Sequence, residues 1–130
     1  VHQFNTFSLP TPLQHAVARY LERQPGACDA LGAFFQAKRD RLCAGLAGTG
    51  IATPRAGGTY FQLLDFSALG GVADVDLADR LIREAGVALI PLSPFYRDCP
   101  SLSLLRICVA KRDETLDLAT ERLRAFAIAA

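Results

Sequence analysis

The residue most able to do chemistry in this chain is Arg106, set in the run Leu102-Ser-Leu-Leu-Arg-Ile-Cys-Val-Ala-Lys111. Side chains alternate along a strand, so Leu105, Ile107 and Val109 share one face while Leu104, Arg106 and Cys108 share the other. Apolar residues on both faces predict a central, covered strand. A guanidinium there cannot shed its charge, and its desolvation has to be offset by an anion or several acceptors. Its planar fork of donors fits a carboxylate or phosphate, which makes a carboxylate-bearing ligand one candidate partner. An internal salt bridge to an aspartate such as Asp65, or an arginine reaching water at a sheet edge, would satisfy the charge as well.

The other reactive side chains do not assemble into a second candidate. Cys28, Cys43, Cys99 and Cys108 form no C-x-x-C pair and have no histidine at metal-ligand spacing, so they read as free buried thiols with no metal site. His15 falls off the apolar stripe of its helix and His2 lies in an irregular lead-in; both read as solvated. Of the two lysines, Lys38 sits among solvated helix charges and Lys111 faces away from Arg106. Gly57-Gly58 leads into a strand rather than a helix N-terminus, which favours a turn over a phosphate cradle. No Ser-His-Asp or Cys-His pairing follows from the spacings. The residues alone thus predict an arginine able to hold a carboxylate beside an aromatic loop, without catalytic machinery.

The elements that must position Arg106 are legible in order. Val1 to Pro10 reads as an extended lead-in. Thr11-Pro12-Leu13-Gln14 has the form of a capping box that opens a helix, and Gln24-Pro25-Gly26 ends it. A second helix is predicted from about Cys28 to Ala47, with Leu31, Phe34, Phe35, Leu42 and Leu46 inward and Lys38, Arg39, Asp40 and Arg41 toward water. Ile51 to Thr53 and Thr59 to Phe66 read as a hairpin. Asp74 or Asp76 caps a third helix bearing Ala78, Leu81, Ile82 and Ala85, which Gly86 closes. Val87 to Ile90 is a short strand, Pro91 to Tyr96 a proline-shaped loop, and Asp113 caps a last helix with Leu116, Ala119, Leu123 and Phe126 on its core stripe. This order predicts an α+β domain, a small mixed or antiparallel sheet with helices packed on it.

Length and composition bound the rest. With 130 residues, 51% hydrophobic and 21% charged, the chain reads as one globular domain. No apolar run approaches the roughly 20 residues of a membrane helix, and a net charge of +1 with scattered bases provides no nucleic-acid stripe. Neither a membrane nor a nucleic acid is expected as partner. The absence of an opening signal peptide points to the cytoplasm. The lack of methionine and the start at Val1 fit initiator removal or a piece of a longer protein.

Several motifs in one order resemble a known family. Thr59-Tyr60-Phe61 after Gly-Gly, then Gly86-Val-Ala-Leu-Ile-Pro-Leu-Ser-Pro-Phe95-Tyr96, then Leu105-Arg106-Ile107-Cys108-Val109-Ala110-Lys111, resemble the C-terminal small domain of a fold-type-I aminotransferase using pyridoxal 5'-phosphate. The branch is that of the methionine and kynurenine aminotransferases; His2-Gln3 to Phe7-Ser8 and Thr11-Pro12 extend the likeness over residues 1–130. The resemblance implies that Arg106 holds the substrate α-carboxylate and that Phe95 lines the side-chain pocket. It further implies that the segment of Phe7 and Ser8 reaches across a homodimer, although Ser8 stands where the family often has another residue. The implied reaction is a ping-pong transfer from an apolar, aromatic or methionine-like amino acid to a 2-oxo acid, with a lysine moving the proton and the cofactor as electron sink. That lysine and the cofactor-binding residues would lie in a large domain upstream of Val1, so this chain alone is expected to be inactive. An aminotransferase-like effector domain of a transcription regulator and a stand-alone small-molecule or interaction module are the rival readings.

Overall fold

Alternating burial along three short apolar runs produces the sheet on which Arg106 sits. The computed structural model describes residues 1–98 and 101–129; Cys99 lies outside the described residues. Strands β1 (Phe61–Asp65), β2 (Ile90–Pro91) and β3 (Leu104–Cys108) form an antiparallel sheet in the order β1-β3-β2. The Arg106 strand is central, as predicted. Its register sets Leu63 opposite Arg106 and Leu64 opposite Leu105 on one side, and Ile90 opposite Arg106 on the other. Helices pack on this small sheet, so the α+β class holds, with antiparallel pairing throughout.

The core lies on one face of the sheet. Leu64, Leu105 and Ile107 are buried there together with Leu42 and Leu46 of α3 (Ala27–Leu46), Leu77 and Ala78 of α4 (Asp74–Arg80), and Leu123 and Phe126 of α5 (Asp113–Ala129). Each fully buried leucine contributes about 2 kcal/mol. Phe61, Leu63 and Asp65 of β1 and Leu104, Arg106 and Cys108 of β3 form the other face and are only half-buried. The expectation of cover on both faces is therefore corrected. Within the second unit the leucine-rich core covers one face of the sheet and the other stays half-buried, although apolar side chains line both.

The chain divides into two compact units, Val1–Gly32 and Ala33–Ala130. In the first, the expected extended lead-in contains one helical turn, α1 (His2–Asn5). Helix α2 (Thr11–Arg23) opens without the predicted capping box: Thr11 is already helical, and the Gln14 amide donates to the Leu9 carbonyl at 2.8 Å. The stripe of Leu13, Val17, Tyr20 and Leu21 exists, yet no residue of α2 is buried.

Several predicted surface charges of the second unit are drawn inward. Arg39 is buried and donates to the Thr59 carbonyl and to the Gln36 side chain. Lys38 reaches the Lys111 carbonyl at 2.7 Å and the Asp113 carboxylate at 2.8 Å, while Arg41 grips Asp117. Asp113, expected as a cap, thus ties α5 to α3. Helical periodicity places these charges off the core stripe, but α5 gives Lys38 and Arg41 carboxylate partners and the segment before β1 gives Arg39 a carbonyl. Phe34, expected inward, is exposed edge-on to Phe35. The predicted hairpin reduces to one rung, Ala52 with Asp65, and the strand expected over 87–90 pairs only at Ile90–Pro91. Cys28 is exposed and Cys43 and Cys108 are half-buried, so these thiols are less enclosed than expected. Among the described residues no cluster of metal-ligating side chains occurs, and no helix is long and apolar enough to cross a membrane.

Asp74 departs furthest from its predicted role. Its carboxylate does not cap α4; it is 1% exposed and accepts the backbone amides of Leu92 at 2.7 Å and Ser93 at 2.6 Å. Burial pushes this carboxyl up, but hydrogen bonds from the Ser93 side chain and from the Ser93, Leu92 and Val75 amides outweigh it and hold it below the ordinary value of 3.8. A depressed folded value means the stabilisation is complete above 3.8 and is lost as pH falls through the lower folded value. Asp74→Asn should cost about 1.5–3 kcal/mol in urea unfolding at neutral pH, the range for hydrogen bonds to a charged group. The gap between the two proteins should close in acid; a gap that persisted unchanged to about pH 2 would show that Asp74 is not ionised in the fold.

Candidate functional site

Strand pairing decides what surrounds Arg106. Phe61, Leu63 and Asp65 share its face of the sheet, with Leu63 directly across on β1 and Ile90 directly across on β2. The guanidinium carbon lies 4.1 Å from the centre of the Phe61 ring. The chain leaves β2 through a tight turn, Ser93–Phe95, with proline in its first positions, and this brings the Phe95 ring to 5.8 Å from the same carbon. Both rings offer electron-rich faces to the cation, worth about 0.5–2 kcal/mol each. Phe95 is 68% exposed, so its ring stands at the mouth of this arrangement.

Neither internal solution for the charge is realised. Asp65 is on the correct face, but its carboxylate accepts the Ser67 amide at 2.9 Å and the Ser67 hydroxyl at 2.5 Å. No ion pair to Arg106 occurs among the described residues, and β3 is not an edge strand. The Arg106 Nε is buried without a hydrogen-bond partner among the described residues. A buried donor left unpaired costs about 1–3 kcal/mol, and ring faces attract charge without accepting a directed bond as an oxygen does. The arrangement leaves one buried donor of a half-buried guanidinium free, a donor that an anion with planar oxygens would satisfy.

Arg106 and Phe95, both singled out in the sequence, are brought together here. Phe7 and Ser8 belong to the first unit. There Phe7 has φ 57°, its amide donates to the His2 carbonyl at 2.9 Å, and both residues are exposed. Phe61 was missed as a site residue. Strand parity groups it with Leu63, but only the pairing of β1 with β3 puts that group beside Arg106. Lys38 is committed to Asp113 and a carbonyl, and Lys111 is exposed in the turn before α5.

Comparison with known proteins gives a consistent result. The family described as Aminotransferase class I and II matches residues 1–123. The chain is 44% identical over 124 residues to the methionine aminotransferase of Escherichia coli, covering 95% of this chain and 32% of that protein. It is 34% identical over 134 residues to a probable N-succinyldiaminopimelate aminotransferase of Mycobacterium tuberculosis, covering 96% of this chain and 34% of the relative. Among solved structures, an E. coli protein with a methionine aminotransferase function aligns with a TM-score of 0.87 at 43% identity, over 96% of this chain and 33% of that one. The N-succinyldiaminopimelate aminotransferase from M. tuberculosis aligns at 0.83 with 36% identity, over 95% of this chain and 32% of that one. The chain spans about a third of the length of the curated relatives it matches.

An unpartnered cation makes a stability prediction that separates a ligand site from a structural arginine. Arg106→Leu should leave the stability of the 130-residue chain unchanged or raise it by about 1 kcal/mol, because an apolar residue removes an uncompensated buried donor. A loss of about 2 kcal/mol or more in denaturant titration would show that the guanidinium holds the fold together.

Proposed function

Because the chain belongs to the aminotransferase class I and II family, we propose that it is the C-terminal, substrate-carboxylate-binding portion of a longer pyridoxal-phosphate-dependent aminotransferase. The observation that carries this reading is the buried, unpartnered Nε of Arg106 between two aromatic rings. Arg106 would take the α-carboxylate of the amino acid through its fork of donors and so fix the orientation of the reacting carbon. Phe61 and Phe95 would exclude water around that ion pair and favour an apolar, aromatic or methionine-like side chain. The acceptor would be a 2-oxo acid. Dimerisation is typical of the family, and in a homodimer Phe7 and Ser8 would serve the neighbouring subunit's site. The cytoplasm is the compartment proposed.

Members of this family use pyridoxal phosphate, and the described residues of this chain do not fit it. A covalent anchor for the cofactor has to be a lysine amine free to react. Lys38 is held by Asp113 and the Lys111 carbonyl with its side chain 13% exposed, and Lys111 stands in an exposed turn. Gly57 and Gly58 precede β1 rather than a helix. The contribution of this chain is therefore the grip on the substrate.

In the longer protein that contains the chain, Arg106→Ala should lower kcat/KM for amino acids by the equivalent of about 2–5 kcal/mol, and Arg106→Lys should recover only part of it. Near-normal kinetics in the alanine variant would overturn the assignment. The 130-residue chain by itself should not transaminate, and pyridoxal phosphate should give only the weak adduct of surface amines. A stoichiometric visible-absorbing adduct abolished by substitution of one lysine would contradict that.

A further inference from the structure

The carboxylate reading of Arg106 leaves open what holds the Phe95 ring at its side. Phe95 sits in a single short turn whose own bonds are local: its amide donates to the Leu92 carbonyl and that of Tyr96 to the Ser93 carbonyl, both at 3.0 Å. The turn can thus be no better placed than Leu92 and Ser93 are. These residues follow Pro91, the last residue of β2, and proline has no N–H with which to extend the sheet ladder. Leu92 and Ser93 supply the next backbone donors of the chain, and the buried carboxylate of Asp74 accepts both.

Asp74 is also tied to the strand that carries the charge. Its backbone amide donates to the carbonyl of Leu102 at 2.8 Å, two residues before β3, and the Ser103 hydroxyl donates to the Val72 carbonyl at 2.8 Å. One residue therefore brackets two segments, the lead into the Arg106 strand and the turn bearing Phe95. Resting on the carboxylate reading, we propose that Asp74 is a positioning residue for side-chain selection, setting the Phe95 ring at a fixed place relative to the carboxylate bound at Arg106. With the α-carboxylate held by the guanidinium, a long side chain extends to the ring and a methyl group does not. Displacing the ring then penalises methionine or phenylalanine and spares alanine. An amide at position 74 weakens this grip: both backbone amides meet one oxygen, Oδ2, which asparagine can supply only without the charge, and its N–H₂ takes the place of the second carboxylate oxygen.

The test uses the full-length holoenzyme and compares kcat/KM for methionine and alanine in Asp74→Asn, Phe95→Ala, the double variant and Arg106→Ala. Asp74→Asn is expected to lower kcat/KM for methionine about tenfold, mainly through KM, and that for alanine by less than about twofold. The double variant should be no worse than Phe95→Ala alone, since both changes remove the same contact. Partial unfolding would scale turnover of every substrate equally and leave the methionine-to-alanine ratio untouched, so the ratio reads placement rather than stability. Asp74→Glu, which keeps the charge but lengthens the bracket, should move the ratio in the same direction. Equal losses for both substrates, or losses that add to those of Phe95→Ala, would overturn the role of Asp74 while the Arg106 site stood, provided Arg106→Ala impaired both substrates. A near-normal Arg106→Ala enzyme would instead remove the site, and the inference with it.

Discussion

A guanidinium remains charged at any pH a protein meets, so a half-buried arginine on a central strand constrains everything placed around it. The sheet surrounds Arg106 with Leu63, Ile90 and two aromatic rings, and leaves its Nε without a partner. Those neighbours offset part of the desolvation but cannot complete it. The rings lower the local dielectric, which strengthens the attraction for an anion that does arrive. A site of this kind is bound to cost stability when empty, and the leucine-rich core on the opposite face of the same strands supplies the compensation.

The two rings beside Arg106 are delivered by segments that a buried polar side chain holds. Asp74 takes the amides that lead to Phe95. Arg39 donates to the carbonyl of Thr59, a non-glycine residue at φ 64° just before Tyr60 and Phe61. Left-handed backbone at a β-branched residue is unfavourable and persists where surrounding contacts enforce it. Buried charge in this unit is thus concentrated where irregular backbone has to be kept in place beside the sheet.

Membership of the aminotransferase family and the geometry of the open face support each other without being the same argument. The family match covers residues 1–123, and the relatives compared are about three times as long as this chain. The proposed carboxylate grip, without a reactive lysine beside it, fits a chain that supplies one part of a larger site. Fold likeness by itself would not assign that role, because one fold can host many chemistries. The weight rests on the state of one side chain.

How much of this was legible in the sequence depended on whether local pattern or long-range pairing decided it. Strand parity put Arg106 on the face opposite Leu105 and Ile107, helical periodicity located Leu42, Leu46, Leu116, Leu123 and Phe126, and glycine or proline marked most element ends. Parity and periodicity are properties of neighbouring residues, so the sequence by itself determined the α+β class, the core stripe of α5 and of the later turns of α3, and the singular position of Arg106. It did not determine which stripes would find a surface to pack on, since Leu13, Val17, Leu31, Phe34 and Ile82 are exposed. It left Asp65 open as an internal partner of that charge, whereas the fold turns the Asp65 carboxylate to Ser67, two residues on. Nor could it show that Phe61 would share the site, that Asp74 would leave its helix end for Leu92 and Ser93, or that Arg39 would turn inward to Thr59. Each of these joins residues far apart in the chain through strand register or loop path. Hydrogen bonding at such a distance is set only when the tertiary fold has brought donor and acceptor together and removed the water that would otherwise satisfy both.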